Sequence, residues 1–392
     1  MNTQSTPVHL RLWHHDFWRM AMANLLVTMA VYVLLPVLPE WLLHTQGLTY
    51  QQTGLALAAF GAGLFLPGCL TSYLVERFRR NMACVWAILL MGGALAFLFY
   101  LHTQQAVFAG FAAILVQRLV LGAAFGAAQM ILASTLIIDT CESYQRTEAN
   151  HSAAWFSRFA LSLGPMAGLL LMRHADFGAV VLAAIGCTLV AVVLILLVHF
   201  PFRAPREQVA LVSLDRYLMP SAWPLMLNLL MVTIVVGLLM AMGLSELFYA
   251  MVMAGFLAAL LAQRFVFRDA ELKSEVVTGL LLIGAALLML LTRRQAIVNF
   301  AAPLFVGFAL GIIGSRFLLF FIKLSRHCQR GTSQSTFMLG WESGIAFGLG
   351  LGYGVLQADT TRVMQVALAL TIVALLLYNF FTHNWFLRHK NR

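Results

Sequence analysis

Four charged side chains stand inside long apolar runs of this 392-residue sequence: Arg118, Arg158, Arg316 and Glu342. An ionised group so placed is costly unless it meets water in a cavity, a ligand or an opposite charge, so position alone makes each a functional candidate. Glu342 is the only carboxylate clearly inside such a run, and a carboxyl there can take up and release a proton as its surroundings change. It is the first candidate for proton coupling, with Arg118 and Arg316 as the cations that could tune it. Arg316 lies about six residues before the inner end of one run and Glu342 about six after the start of the next, so a permanent structural strut between them is the rival reading. Arg118 either meets a protonatable or anionic group or braces a neighbouring helix through Asn24. Arg158, at comparable depth, could compete for the same carboxylate.

These positions demand elements that cross a bilayer. The chain is 61% hydrophobic and 10% charged, with mean hydropathy +0.86, against about 45–50% and about 25% in soluble domains. A soluble enzyme is excluded. Apolar runs near the length of a spanning helix, about 20 residues, fall near 17–38, 53–74, 82–101, 106–131, 153–173, 178–199, 223–243, 246–265, 276–291, 296–321, 336–355 and 363–381. That pattern predicts an all-α integral membrane protein of twelve transmembrane helices. Of its 25 Lys and Arg, 18 fall on one side if both termini share it and four on the other, which places both termini in the cytoplasm. The hydrophilic stretch 201–222, with Arg203, Arg206 and Arg216, reads as a cytoplasmic linker between residues 1–200 and 223–392, each a six-helix bundle.

The halves echo one another. Gly68 and Glu76-Arg77-Phe78 recur as Gly255 and Gln263-Arg264-Phe265. Trp155, Gly164 and Gly168 recur as Trp341, Gly350 and Gly354, and Ala109-Gly110-Phe111-Ala112 before Arg118 is echoed by Val306-Gly307-Phe308-Ala309 before Arg316. The first two echoes lie 187 and 186 residues apart and the third 197–198, and together they indicate duplication, hence two pseudo-symmetric bundles of the kind that hold a midplane site between rocking halves.

The net charge of +10 is gathered in short clusters between apolar runs, so it sets topology and does not imply nucleic acid. Five cysteines, Cys328 among them, carry no spacing for disulfides or metal. His14-His15-Asp16 is consecutive, which suits a membrane interface better than a metal site. No phosphate-binding loop is visible, hence no ATP engine, and no nucleophile or metal constellation is evident within reach of the interface, so neither a cofactor nor an enzymatic activity is expected.

The residues following Ser72 (Ser72-Tyr73-Leu74-Val75-Glu76-Arg77-Phe78-Arg79-Arg80-Asn81) resemble the loop motif G-x-L-x-D-R-x-G-R-[RK] of the major facilitator superfamily, departing from it at Ser72 and Arg79. Arg118-Leu119-Val120-Leu121-Gly122 resembles that family's R-x-x-x-G signature. Gly164-Pro165-Met166-Ala167-Gly168 resembles the G-P-x-x-G core of its drug:proton antiporters. The run Gly331–Thr336 leading into Gly340-Trp341-Glu342 looks like the same group. The resemblance implies a latch in which Glu76 sits at the start of helix 11 while Arg77 and Arg80 pair with loop acids, Asp139 being a partner for Arg77. It implies that Gly164, Pro165 and Gly168 form a pivoting contact between the halves. It nominates Asn24, Thr28, Tyr32, Gln129, Asn228, Thr233 and Trp341 as cavity-lining substrate contacts.

The function implied is efflux of a small amphipathic compound in exchange for protons, by a monomer in a bacterial inner membrane. A proton-coupled uptake symporter or an organic-anion exchanger on the same fold is the alternative. Three intramembrane arginines against one carboxylate make an anionic substrate plausible.

Overall fold

A computed structural model describes residues 11–104, 110–200, 209–267, 271–293, 295–326 and 329–391. Ala109, Arg203, Arg206, Cys328 and the first part of the expected linker, 201–208, lie outside the described residues. Twelve long helices follow in order: α1 His15–Tyr32, α2 Tyr50–Gly63, α3 Arg80–Thr103, α4 Phe111–Ile131, α5 Arg146–His174, α6 Phe177–Leu196, α7 Trp223–Met240, α8 Glu246–Phe265, α9 Leu272–Thr292, α10 Val298–Leu324, α11 Arg330–Gly354 and α12 Thr360–Leu377. Their starts are set locally. The Thr49 hydroxyl and Gln52 form a capping box for α2, and Asp176, Ser245 and Asp359 accept from the exposed amides that open α6, α8 and α12.

Ten of these segments are long and apolar enough to cross a membrane by length and composition. The other two are α1 and α11, and they are polar for a reason. Nearly every residue of α11 is buried, because α2, α4, α7 and α10 pack around it. A helix enclosed by other helices can carry Ser, Thr, Gln and Glu that lipid would exclude.

The packing repeats with a shift of six helices. In the first bundle α1 packs on α5 and α6, α2 on α4, and α3 on α4 and α6. In the second, α7 packs on α11 and α12, α8 on α10, and α9 on α10 and α12. The bundles meet through α2 with α11 and α5 with α8. Two pseudo-symmetric six-helix bundles therefore face one another.

The interface is closed at one end. A Cβ on Gly54 would overlap Gly354 Cα and N, so α2 and α11 touch backbone to backbone there. On the other pair, Ser162 Oγ donates to Tyr249 O at 2.5 Å, and Arg173 meets Glu246 at 3.4 Å. At the arginine-rich end the bundles part around a cavity of about 240 Å³. The described part of the linker straps that end: Ser213 N donates to Cys69 O, while Arg216 N and Met219 N donate to the hydroxyls of Thr332 and Thr336 on α11.

Candidate substrate and coupling site

Glu342 sits midway along α11 with 4% of its surface exposed, and its Oε2 accepts a hydrogen bond of 2.8 Å from the hydroxyl of Tyr32 at the end of α1. The bond joins the two bundles. Glu342 also lines two internal cavities. The larger, about 40 Å³, holds Arg158, Asn24, Gln129, Asn150, Ser157 and Trp341 among its walls. The smaller, about 10 Å³, holds Tyr32 and Arg118 between apolar side chains such as Phe60 and Leu349.

Among the described residues neither arginine has a carboxylate partner. Arg158 Nη1 donates to Ser315 Oγ at 2.7 Å and its guanidinium lies 4.8 Å from the Trp155 ring, while Nε and Nη2 have no hydrogen-bond partner. The close passage of α10 makes room for it: a Cβ on Gly314 would stand 2.8 Å from Arg158 Nε. Arg118 lies over Phe60 at 5.0 Å, with Nε and Nη1 unpartnered. It does not brace Asn24, whose amide donates to Ala153 O at 3.0 Å and Ser157 Oγ at 2.7 Å. A planar cation with unused N–H groups in a closed space is suited to bind an oxyanion.

Arg316 does not reach Glu342. It pairs with Glu275 at 2.6 Å, so the strut across the α10–α11 hairpin is replaced by one between α10 and α9. Glu275 was missed because the apolar run was read from 276, whereas α9 begins at Leu272 and buries Glu275 in its first turn.

The expected cavity residues divide. Asn24, Gln129 and Trp341 line the central cavity, and Thr28 links two of them by donating to Asn24 O and accepting from Gln129 Nε2 at 2.8 Å. Tyr32 is the partner of Glu342. Asn228 and Thr233 are turned elsewhere: Asn228 donates to Ala374 O on α12, and Thr233 donates to Gly340 O on α11. Neither lines the described cavities, and both serve helix packing. Asn150, Ser157, Gln334, Phe337 and Met338 line the central cavity instead. Their signal was the polar run that opens α11 and the polar positions preceding Arg158 on α5.

At the basic end Asp139 pairs with Arg80 at 2.7 Å rather than with Arg77, which is exposed. In the first turn of α11, Asp215 of the linker accepts from the Thr332 hydroxyl at 2.9 Å, an acid that sequence reasoning did not single out. Gly164 and Gly168 make their close contact within the first bundle, not between halves. A Cβ on Gly164 would stand 2.7 Å from Tyr32 Cβ, and one on Gly168 would overlap Val33 O. The segment around Pro165 thus seats Tyr32. His14 caps α1 by accepting from Phe17 N, and its Nε2 lies 2.9 Å from Thr140 O.

Residues 20–349 match the sequence profile of the Major Facilitator Superfamily. Solved structures share the fold. The human organic anion transporter MFSD10 (TETRAN) superposes with a TM-score of 0.69 at 17% identity, covering 93% of this chain and 99% of its own. A bacterial homologue of the human lysosomal transporter Spinster, inward-facing and unoccupied, gives 0.66 at 16% identity, covering 98% and 99%. A bacterial homologue of the iron transporter ferroportin, outward-facing, gives 0.66 at 16% identity, covering 96% and 99%. No curated protein matches in sequence.

Proposed function

The chain belongs to the major facilitator superfamily, and we propose that it is a secondary carrier, not an enzyme, that moves a small amphipathic organic anion together with a proton by alternating access. The observation that carries this reading is Glu342, bonded across the bundles to Tyr32 and lining both cavities in which Arg158 and Arg118 leave N–H groups unused. The anion's acidic group binds Arg158, while Asn24, Gln129 and Trp341 contact its remainder. The human neighbour is described as an organic anion transporter; a likeness at that identity speaks to fold alone, so the reading rests on the residues.

The sign of the coupling follows from charge. An anion beside ionised Glu342 is repelled, and a proton on Glu342 removes that repulsion, so each ligand favours the other. Residues 1–200 and 223–392 rock about the central cavity, with 201–222 as connector. The pairing of Arg80 with Asp139 and the strap over α2 and α11 belong to the gate at the basic end. By the charge bias that end faces the cytoplasm of a bacterial inner membrane. A single chain suffices for this site.

Purified protein in proteoliposomes, screened with small carboxylates under an imposed pH gradient, tests the proposal. Accumulation should follow the proton gradient in the same direction, and Glu342→Gln should abolish the coupling. Transport indifferent to both would remove it. Efflux by exchange for protons is the second reading, favoured by the glycine–proline segment that presses on Tyr32; it predicts accumulation driven by the opposite gradient and weaker binding at lower pH.

A further inference from the structure

The cavity at the basic end is built differently from the central one. It shares Asn150 with the central cavity, so the two stand in series. Among the described residues its walls hold four guanidinium groups, Arg80, Arg146, Arg216 and Arg330, against the carboxylates of Asp139 and Asp215. Both acids are engaged: Asp139 with Arg80, and Asp215 with Arg216 N and the Thr332 hydroxyl. The Nε atoms of Arg146 and Arg216 are buried without a hydrogen-bond partner.

The helix ends add positive charge that the acids only partly offset. Arg146 opens α5 and Arg330 opens α11, so both cations stand at helix ends whose partial charge is already positive. Glu148 in the same turn of α5 is exposed and forms no part of the walls. Burial, and then the charge of Arg80, loosen the hold of Arg216 on its proton, with Asp215, Glu76 and Asp139 opposing. Deeper in, Ser134 is 5% exposed with an unpartnered Oγ, and Asn150 is 3% exposed with an unpartnered Oδ1. The hydroxyl is a donor, and the Asn150 amide can turn its NH2 inward.

We propose that this vestibule is a second oxyanion site, which holds a carboxylate or phosphate group at the basic end before it passes Asn150 to the central cavity. Guanidinium forks at Arg146 and Arg216, with the Ser134 hydroxyl, supply the donors. Its walls come from the start of α3, the segment 132–139 just beyond α4, and from α5, α10, α11 and the linker, between the bundles, which favours an anion from solution over a lipid headgroup. Its place in a transport sequence rests on the anion reading above; the binding itself does not.

Inorganic pyrophosphate, titrated into the full-length protein in lipid-free detergent, is the probe. Thermal stability is read against potassium chloride at matched ionic strength. Pyrophosphate should stabilise beyond chloride, and Arg146→Gln with Arg216→Gln should raise the half-saturating concentration at least tenfold. Single Arg146→Lys and Arg216→Lys changes, which keep the charge and lose the fork, should weaken binding less and guard against a failure to fold. Arg158→Gln should leave this binding in place. Equal shifts with chloride overturn the proposal. So does a shift lost in Arg158→Gln but kept in the double variant, an outcome that leaves the central anion site standing. In phosphatidylglycerol nanodiscs the shift should persist, and its loss there would assign the vestibule to lipid and overturn the queueing role.

Discussion

Arg158→Gln separates a binding cation from a structural one. Among the described residues Arg158 makes one hydrogen bond, to Ser315, and one ring contact, with Trp155, while two of its nitrogens have no hydrogen-bond partner. The hydrogen bond contributes about 1.5–3 kcal/mol as one made by a charged group, and the ring contact about 0.5–2. Against these stands the effective penalty of burying a guanidinium with no counter-charge, several kcal/mol. The terms nearly cancel, so the empty variant should melt at the wild-type temperature or above it. Binding should respond very differently. Removing one partner of a buried hydrogen-bonded charge pair costs about 2–5 kcal/mol, which is a loss of roughly 30-fold to a few thousandfold in affinity at 1.4 kcal/mol per decade. Both quantities come from one thermal titration with a transported carboxylate. A variant that melts lower yet binds the carboxylate as well as wild type would mean that Arg158 is a brace, and the assignment of the central cavity to an anion would be wrong.

The pair formed by Arg316 and Glu275 should behave in the opposite way. Arg316→Gln leaves a buried carboxylate without its partner and should destabilise by about 3–5 kcal/mol, and adding Glu275→Gln should restore most of that loss in a double-mutant cycle. Independent, additive losses would show that the two side chains do not act as a unit. Gly54→Leu places a side chain where the backbone of Gly354 now lies, so the closed end should be forced apart. Cysteines introduced near residues 50 and 354 should then label faster with a membrane-impermeant thiol reagent, and unchanged labelling would contradict the close approach of α2 and α11.

Ten of the helices were legible because each is a long apolar run, and a run of that length has only one stable arrangement in a bilayer, whereas the more polar α1 and α11 were legible only as apolar stretches beside polar residues. Burial was legible too: Arg118, Arg158 and Glu342 lie in the protein interior. What the sequence withheld was azimuth. Arg316 lies within α10 as expected, but each residue turns the helix by about 100°, and its side chain leaves α10 toward α9 instead of α11. Asn228 and Thr233 fail as cavity residues for the same reason. Boundaries mattered as well. The run read from 276 concealed Glu275, and the run read from 336 cut off the first turns of α11, where Ser333 and Thr336 satisfy their hydroxyls on Arg330 O and Thr332 O and so remain helical. The Tyr32–Glu342 bond spans 310 residues and exists only because the bundles pack as they do.

That bond also gives the proposed linkage of proton and anion a physical route. Among the described residues, three buried side-chain hydrogen bonds join helices of opposite bundles: Tyr32 to Glu342, Arg158 to Ser315, and Ser162 to Tyr249 O. All must break or slide if the halves rock, and at about 1 kcal/mol net for a neutral bond and somewhat more for a charged one their sum is small enough to be crossed. The bond from Ser162 to a backbone carbonyl is insensitive to either ligand. The bond to Glu342 is charge-assisted only while the carboxyl is ionised, so a proton weakens that tether. The bond from Arg158 competes with any oxyanion that claims the same guanidinium, so the anion weakens the other. Each ligand therefore releases a different tether between the same two bodies. In the proposed carrier, the remaining charged bond would still hold the bundles in register with only one ligand bound, so the loaded step would be fastest once both have arrived.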